Sequence, residues 1–321
     1  MIVLGVESTA HTFGVGIVDS NSKKILSNER KIFKPSKGGF VPRELSEHHA
    51  SICKEITQEA LNKSGISLKE VDRIAYSRGP GIGQALLIGS KFVKTLHFKH
   101  NIPVVGVNHC IAHLEVGRFL TSCEDPVMLY ASGGNTQVIS YEGDKYRVFG
   151  ETMDIALGNL IDVFGREAGL PTPAGPAVEK ISKKGKYVEL PYTVKGMDVS
   201  YGGMLTNLKD KLNSKKYKVE DLAYSLQETA FSMMIEVSER AMAHTNKREL
   251  LLTGGVAANK RFQEMCEIMC KERNADFHTI PLQYAGDNGA MIAVSGVLQE
   301  EDNNFEINPT WRTDQVKVTW R

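Results

Sequence analysis

Cysteine is scarce: Cys53, Cys110, Cys123, Cys266 and Cys270 are an odd number with no Cys-x-x-Cys pair. That fits reduced thiols, small and buried, better than a disulfide framework. Long apolar runs are missing too. Residues 79–90 and 288–299 are the longest uncharged candidates, and both fall short of the ~18–20 residues a membrane span needs. The opening MIVLGVESTA has no basic segment and no long apolar core, so no secretory signal is read and a cytoplasmic protein without membrane partners is expected. An excess of one charge is absent as well, with 39 Lys+Arg against 38 Asp+Glu. A net charge of +1 argues against coating nucleic acid by charge alone, although a local basic face stays open. Neither Gly79 nor Gly81 starts a G-x-G-x-x-G, and no G-x-x-x-x-G-K-[ST] occurs, so the Rossmann and P-loop readings are weak.

What is present is a chain of 321 residues, enough for two domains at about 150 residues each, with 41% hydrophobic and 24% charged residues, the composition of a folded protein. Residues 2–6 and 13–19 are apolar runs joined by the polar turn 7–12, a hairpin of buried strands. Ile52, Ile56 and Ala60 mark one face of a helix over 44–62, with Ser46 as its candidate cap. Strand 73–77, a glycine loop at 79–83, helix 84–99 and strand 103–107 then alternate. The opening design restarts at 127–131, with a Ser132-Gly133-Gly134-Asn135 turn and strand 136–141, which predicts an internal duplication. Helix from Glu151 to Gly169, a rigid proline loop LPTPAGP at 170–176, helix 222–245, strand 249–253, a Gly254-Gly255 turn, helix 257–272 and a last helix near Asn288 complete the chain. We expect an α/β protein with domains at 1–125 and 126–321.

His109 and His113 lie four apart after a strand, with Asn108 as a possible cap, so on a helix both imidazoles leave one face. They are either metal ligands or ordinary core histidines. Cys110 occupies the position where a zinc protease needs its catalytic Glu, which argues against a peptidase. Two histidines require a further donor, and Asp287, in the turn Ala285-Gly286-Asp287-Asn288-Gly289, is either that donor or a helix cap. The 132–135 turn either aims N–H groups and hydroxyls at phosphate, facing the turn 7–12 across a cleft, or is a plain hairpin. Thr253–Asn259 ends a strand and starts a helix without large side chains, where a base or phosphate can approach the backbone. Residues 180–218 hold ten lysines against Glu189, Asp198 and Asp210, either a solvated face or a surface for phosphates.

Two glycine hairpins of one design followed by a strand–Gly-Gly–helix element resemble the actin-like ATPase superfamily. Within it, NHCIAHLE, LYASGGNTQV, GNLIDVFGREAG, PAGP and GGVAANKRF together resemble the tRNA threonylcarbamoyladenosine transferases of the archaeal and eukaryotic branch, the catalytic subunits of the KEOPS complex. The resemblance implies two duplicated actin-like (ribonuclease H-like) lobes, the second with a helical insertion, and a nucleotide and metal cleft between them. It implies transfer of a threonylcarbamoyl group from threonylcarbamoyl-adenylate to N6 of the adenosine beside the anticodon in tRNAs reading codons that begin with A, with release of AMP.

By the same pattern His109, His113, Tyr130 and Asp287 would hold one metal ion, iron or zinc, and form the catalytic centre. Tyr130, Ala131, Ser132, Gly133 and Gly134 would face the acyl-phosphate of the adenylate-type nucleotide, while Asp162, Gly175, Glu179 and Asn259 would receive ribose and adenine. Backbone N–H groups of Ser132, Gly133 and Gly134 would stabilise developing charge, and Glu7 or His11 would position phosphate or relay a proton. Tyr201-Gly202 replaces the family's usual Phe-Ser, which removes a serine hydroxyl contact. Implied partners are tRNA, a small atypical kinase/ATPase, a dimerising small subunit and a kinase regulator. The kinase is fused behind the transferase in some archaeal members, and here it is expected either as a separate chain or outside these 321 residues. The competing readings are an ATP-dependent small-molecule kinase of the same superfamily and a non-catalytic nucleotide-binding scaffold.

Overall fold

The computed structural model describes residues 1–34 and 41–321. They form two compact units, Met1–Leu120 with Asp287–Arg321, and Thr121–Gly286. The first unit opens with β1 (Ile2–Glu7), β2 (Thr12–Asp19), β3 (Lys24–Ile32), α1 (Pro42–Ser64), β4 (Arg73–Gly79), α2 (Gly83–His100), β5 (Val104–Asn108) and α3 (His109–Leu120). Its sheet runs β3-β2-β1-β4-β5, antiparallel among the first three strands and parallel from β1 outward to β5. β1, β2, β4 and β5 are buried almost throughout, so they read as continuous apolar runs rather than alternating ones. Edge strand β3 (KILSNERKI) carries the charges that discourage pairing with another chain. α1 starts at Pro42, two residues before the expected start, because proline's fixed φ suits the first helical turn. Ser46 therefore lies inside the helix, donating from Oγ to the Arg43 carbonyl, and is no cap.

The second unit holds β6 (Val127–Ala131), β7 (Thr136–Tyr141), β8 (Tyr146–Glu151), α4 (Leu157–Glu167), α5 (Gly175–Ser182), the short pair β9 (Val194–Lys195) and β10 (Asp198–Val199), α6 (Gly202–Ser214), α7 (Val219–Thr245), β11 (Glu249–Thr253), α8 (Lys260–Glu272), β12 (Asp276–Thr279) and α9 (Leu282–Ala285). Its sheet order, β12-β11-β6-β7-β8, repeats that of the first unit strand for strand, with β6–β8 antiparallel and β6, β11 and β12 parallel. The expected duplication is thus a duplicated sheet; α7 packs on β6, β7 and α8 as α1 packs on β2, β3 and α2, and α4–α6 are added ahead of it. Phe231 of α7 stacks on Phe262 of α8 with ring centroids 4.4 Å apart, at the centre of this unit's core.

The helix expected from Glu151 begins instead at Leu157. The intervening turn is held by Asp154, whose carboxylate accepts from the Ile155, Tyr201 and Gly202 N–H groups and from Ser200 Oγ. Burial raises that carboxyl, but these donors win and hold it down at about 2. A 3-10 turn, Gly255–Ala258, precedes α8, which Asn259 caps.

The final segment returns to the first unit. The expected division at 125/126 with everything after it in one lobe is corrected: the break falls at 120/121, and Asp287–Arg321 belongs with the first unit. The cause is α10 (Gly289–Leu298), GAMIAVSGVL, which is buried against β1, β2, β4 and α3. Side chains are absent where its backbone meets the sheet. A Cβ on Gly16 would lie 2.2 Å from the Ala290 nitrogen, and one on Gly5 2.3 Å from that of Ala293. Beyond α10 the chain stays on this unit: Tyr76 Oη donates to the Asn304 and Glu306 carbonyls, Asn108 Nδ2 to that of Trp311, and Trp320 Nε1 to Glu115.

Candidate active site

In the first unit the site begins where β5 becomes α3. Asn108 Oδ1 accepts from the N–H groups of Cys110 and Ile111, at 2.9 and 3.1 Å, which starts the helix at His109 as the spacing predicts. His109 and His113 then stand one turn apart, rings nearly perpendicular and centroids 4.8 Å apart. Asp287 arrives ahead of α10. Asn288 is that helix's cap, accepting from the Met291 N–H at 3.0 Å, so the cap reading of Asp287 is wrong. Its Oδ1 lies 3.3 Å from His113 Nε2 and 3.5 Å from His109 Nε2, and ligand atoms of all three residues lie within 4.8 Å of one another. Close contact of α10 with β1 and β2 at Gly5 and Gly16 places this carboxylate there.

Behind the histidines stands Glu7, fully buried at the end of β1, with Oε2 3.0 Å from His109 Nδ1. Its Oε1 accepts from the Thr9 N–H at 2.6 Å and from Thr9 Oγ1, which is itself 3.2 Å from His109 Nδ1. A carboxylate there keeps a proton on Nδ1 and aims Nε2 toward Asp287 and His113, as ligating histidines are commonly held. Burial pushes His109 down, yet the Glu7 and Asp287 carboxylates outweigh it and raise it to about 9. Burial lowers His113, whereas Asp287, despite burial, is held well below the usual carboxylate range by the two imidazoles. Burial pushes the Cys110 thiol up to about 12, leaving no thiolate between the histidines. Two imidazole nitrogens, that of His109 giving up its proton on binding, and a carboxylate are the donor set that iron(II) and zinc accept, so these residues could hold such an ion. Thr9 and the outer role of Glu7 are what the sequence reading missed; a buried Glu closing an apolar strand was the available signal.

The second unit gathers the other expected residues. Tyr130 and Ala131 end β6, both buried. The 132–135 turn is closed by Ser132 N–H donating to the Asn135 carbonyl at 2.8 Å and by Ser132 Oγ accepting from the Asn135 N–H at 3.0 Å. The Ser132 N–H is therefore already engaged. Gly133 and Gly134 are exposed, with open space where a Cβ would stand. The start of α4 holds the turn, through Gly158 N–H to the Ser132 carbonyl and Leu157 N–H to Thr136 Oγ1. Gly254, at φ +90°, is required where it is, since a Cβ would sit 2.4 Å from the Ala131 carbonyl oxygen.

Asp162, Glu179 and Asn259 each have protein partners. Asp162 Oδ1 accepts from the Ala174 N–H at 2.7 Å, positioning Gly175 at the start of α5, and Glu179 Oε1 accepts from the Lys260 N–H at 3.1 Å. Asn259 uses both ends of its amide: Oδ1 caps α8 at Phe262 and Nδ2 donates to Gln227 Oε1. These residues thus bind the α4–α5 loop, α5, α7 and α8 to one another.

Two units with the same five-strand sheet order define an actin-like ATPase fold. In keeping with this, the activator of 2-hydroxyisocaproyl-CoA dehydratase from Clostridium difficile superposes with a TM-score of 0.56 at 12% identity, over 92% of this chain and 94% of that one. The family profile described as tRNA N6-adenosine threonylcarbamoyltransferase matches residues 23–294. A tRNA N6-adenosine threonylcarbamoyltransferase of Thermococcus gammatolerans is 50% identical over the whole of both chains. A "Probable bifunctional tRNA threonylcarbamoyladenosine biosynthesis protein" of Methanocaldococcus jannaschii is 48% identical over all of this chain, which covers 60% of it. The chain belongs to the tRNA N6-adenosine threonylcarbamoyltransferase family, and its activity is that of a transferase acting on a tRNA adenosine. Among the described residues no helix is long and apolar enough to cross a membrane.

Proposed function

We propose that this chain takes threonylcarbamoyl-adenylate as donor and passes its acyl group to N6 of the adenosine beside the anticodon in tRNAs reading codons that begin with A. A bond forms from N6 to the carbamoyl carbon, the bond from that carbon to the phosphate oxygen breaks, AMP leaves with that oxygen and the electron pair, and the N6 proton passes to solvent. The observation that carries the reading is the meeting of His109, His113 and Asp287, with Glu7 behind His109. Those three residues would hold one iron or zinc ion. When bound, that ion supplies Lewis acidity toward phosphate or carbonyl oxygen. Glu7 orients His109 for this role.

The N–H groups of Gly133 and Gly134 stabilise charge on the acyl-phosphate, while that of Ser132 shapes the turn. The free carboxylate oxygens of Asp162 and Glu179 suit ribose hydroxyls. Asn259, engaged at both ends of its amide, serves the nucleotide by fixing the α8 terminus and receives the base through backbone rather than side chain. A cytoplasmic protein working with an atypical kinase/ATPase, a dimerising small subunit and a kinase regulator fits this reading.

The test is AMP release from synthetic threonylcarbamoyl-adenylate by metal-loaded protein, chelated protein and the His109→Ala/His113→Ala variant, with ATP as control substrate. Release that is lost on chelation and in the double variant supports the proposal. Turnover of ATP onto a small acceptor with no release from the adenylate would replace it with the kinase reading.

A further inference from the structure

The lysine excess of residues 180–218 has a structural counterpart that its sequence does not show. Lys183, Lys184 and Lys186 follow α5, whereas Lys215, Lys216 and Lys218 precede α7, some thirty residues later. Three contacts dock the first run onto the first two turns of α7, beside the second run. Lys186 N–H donates to Asp221 Oδ1 at 2.7 Å, and Val188 N–H to Ser225 Oγ at 2.7 Å. Gly185 sits so close to α7 that a Cβ there would lie 2.2 Å from the Glu220 carbonyl oxygen. All six lysines are exposed, and among the described residues none of them forms an ion pair. Of the acids beside them, Asp221 is engaged with the Lys186 N–H.

Residues 180–218 carry a charge of +7, so the rest of a chain of net +1 carries −6. The positive charge is therefore concentrated rather than spread. Each lysine run also carries an exposed tyrosine. Tyr187 is 56% exposed and anchored by its hydroxyl 3.3 Å from Thr229 Oγ1, and Tyr217 is 40% exposed with Lys211 Nζ 5.5 Å from its ring centre. Anchored phenol rings among unpaired ammonium groups suit a chain of phosphates bearing stackable bases better than an acidic peptide.

We infer that the α5–α7 corner of the second unit is a docking surface for the tRNA body, its lysines on phosphates and Tyr187 and Tyr217 against exposed bases or sugar edges. The inference rests on tRNA being the acceptor. It assigns the corner to holding the RNA and gives it no part in the chemistry.

The experiment measures binding of a transcribed tRNA to the full chain by fluorescence anisotropy between 50 and 200 mM salt. Lys183→Glu/Lys184→Glu/Lys186→Glu should weaken binding at least tenfold at 0.1 M salt and reduce the slope of log K against log salt by about 2–3, at 0.7–0.9 per lost phosphate contact. Lys69→Glu/Lys91→Glu/Lys99→Glu, the same charge change at exposed sites of the first unit, should leave affinity within about twofold. Tyr217→Ala should weaken binding about tenfold with the slope unchanged. Hydrolytic AMP release from threonylcarbamoyl-adenylate without tRNA, with water as the acceptor, should be equal in every variant, which separates failure of this surface from failure of the transferase reading. Wild-type affinity and slope in the first triple variant, or equal weakening by the control triple, would overturn the inference.

Discussion

Replacing Glu7 by Gln tests the centre with the smallest change of shape. Glu7 is fully buried, 3.0 Å from His109 Nδ1, and also accepts from the Thr9 N–H and Oγ1. Glutamine keeps one acceptor but loses the charge and puts an NH2 group against donors. Loss of an outer carboxylate on a ligating histidine lowers metal affinity by about 10–100-fold, or about 1.4–2.8 kcal/mol at 1.4 kcal/mol per factor of ten. The metal-free protein should lose about 1–3 kcal/mol of stability as well, since one buried donor is left unmatched. Competition of Zn2+ between the protein and a chromophoric chelator gives the first quantity, and urea unfolding of the metal-free protein gives the second. Zinc affinity within twofold of wild type in a folded Glu7→Gln protein would refute the claim that Glu7 acts through His109.

The Asp287 and Asn288 roles separate cleanly. Asn288→Ala should cost about 1 kcal/mol of stability in urea unfolding, the loss of a cap, whereas Asp287→Asn should abolish tight zinc binding and leave that cap in place. Gly16→Ala puts a methyl group 2.2 Å from the Ala290 nitrogen, so α10 or the sheet must shift; we expect a loss of about 1–3 kcal/mol or more, read as a Tm several degrees lower, together with weaker zinc binding because Asp287 moves with α10. His49, buried with Nε2 2.9 Å from the Ala10 carbonyl, is held neutral by burial, its pKa lowered to about 4. The unfolded chain takes up that proton near pH 6.5, so the stabilisation is complete above 6.5 and falls by about 2–3 kcal/mol as the pH drops from 6.5 toward 4. His49→Gln should flatten that part of the stability profile, and an unchanged slope would show that another group carries it.

Local features were legible in the sequence. Strand, polar turn and strand recur at 2–19 and 127–141 because each hairpin is specified by neighbouring residues. Asn108 reads as a cap because its acceptors' partners lie two and three residues on. Features closed by distant contacts were hidden. Asp154 ends the stretch expected to be helical through partners at Ser200, Tyr201 and Gly202, nearly fifty residues away. Glu7 meets His109 across 102 residues of chain. The apolar α10 declares that it is buried but not against which sheet, and that alone misplaced the domain boundary. Asn259 looked available to a base because its role as a bridge depends on Gln227, 32 positions earlier.

Asn108 has a further consequence. One amide both starts the helix that carries His109 and His113 and holds the Trp311 carbonyl of the C-terminal segment, whose Trp320 reaches Glu115 on the same helix. Helix start and tail are therefore parts of one cooperative opening unit. In hydrogen exchange the amides of Cys110 and Ile111 should open together with the tail, at a common free energy. Whatever slows exchange at the histidine turn should slow it some two hundred residues further along the chain.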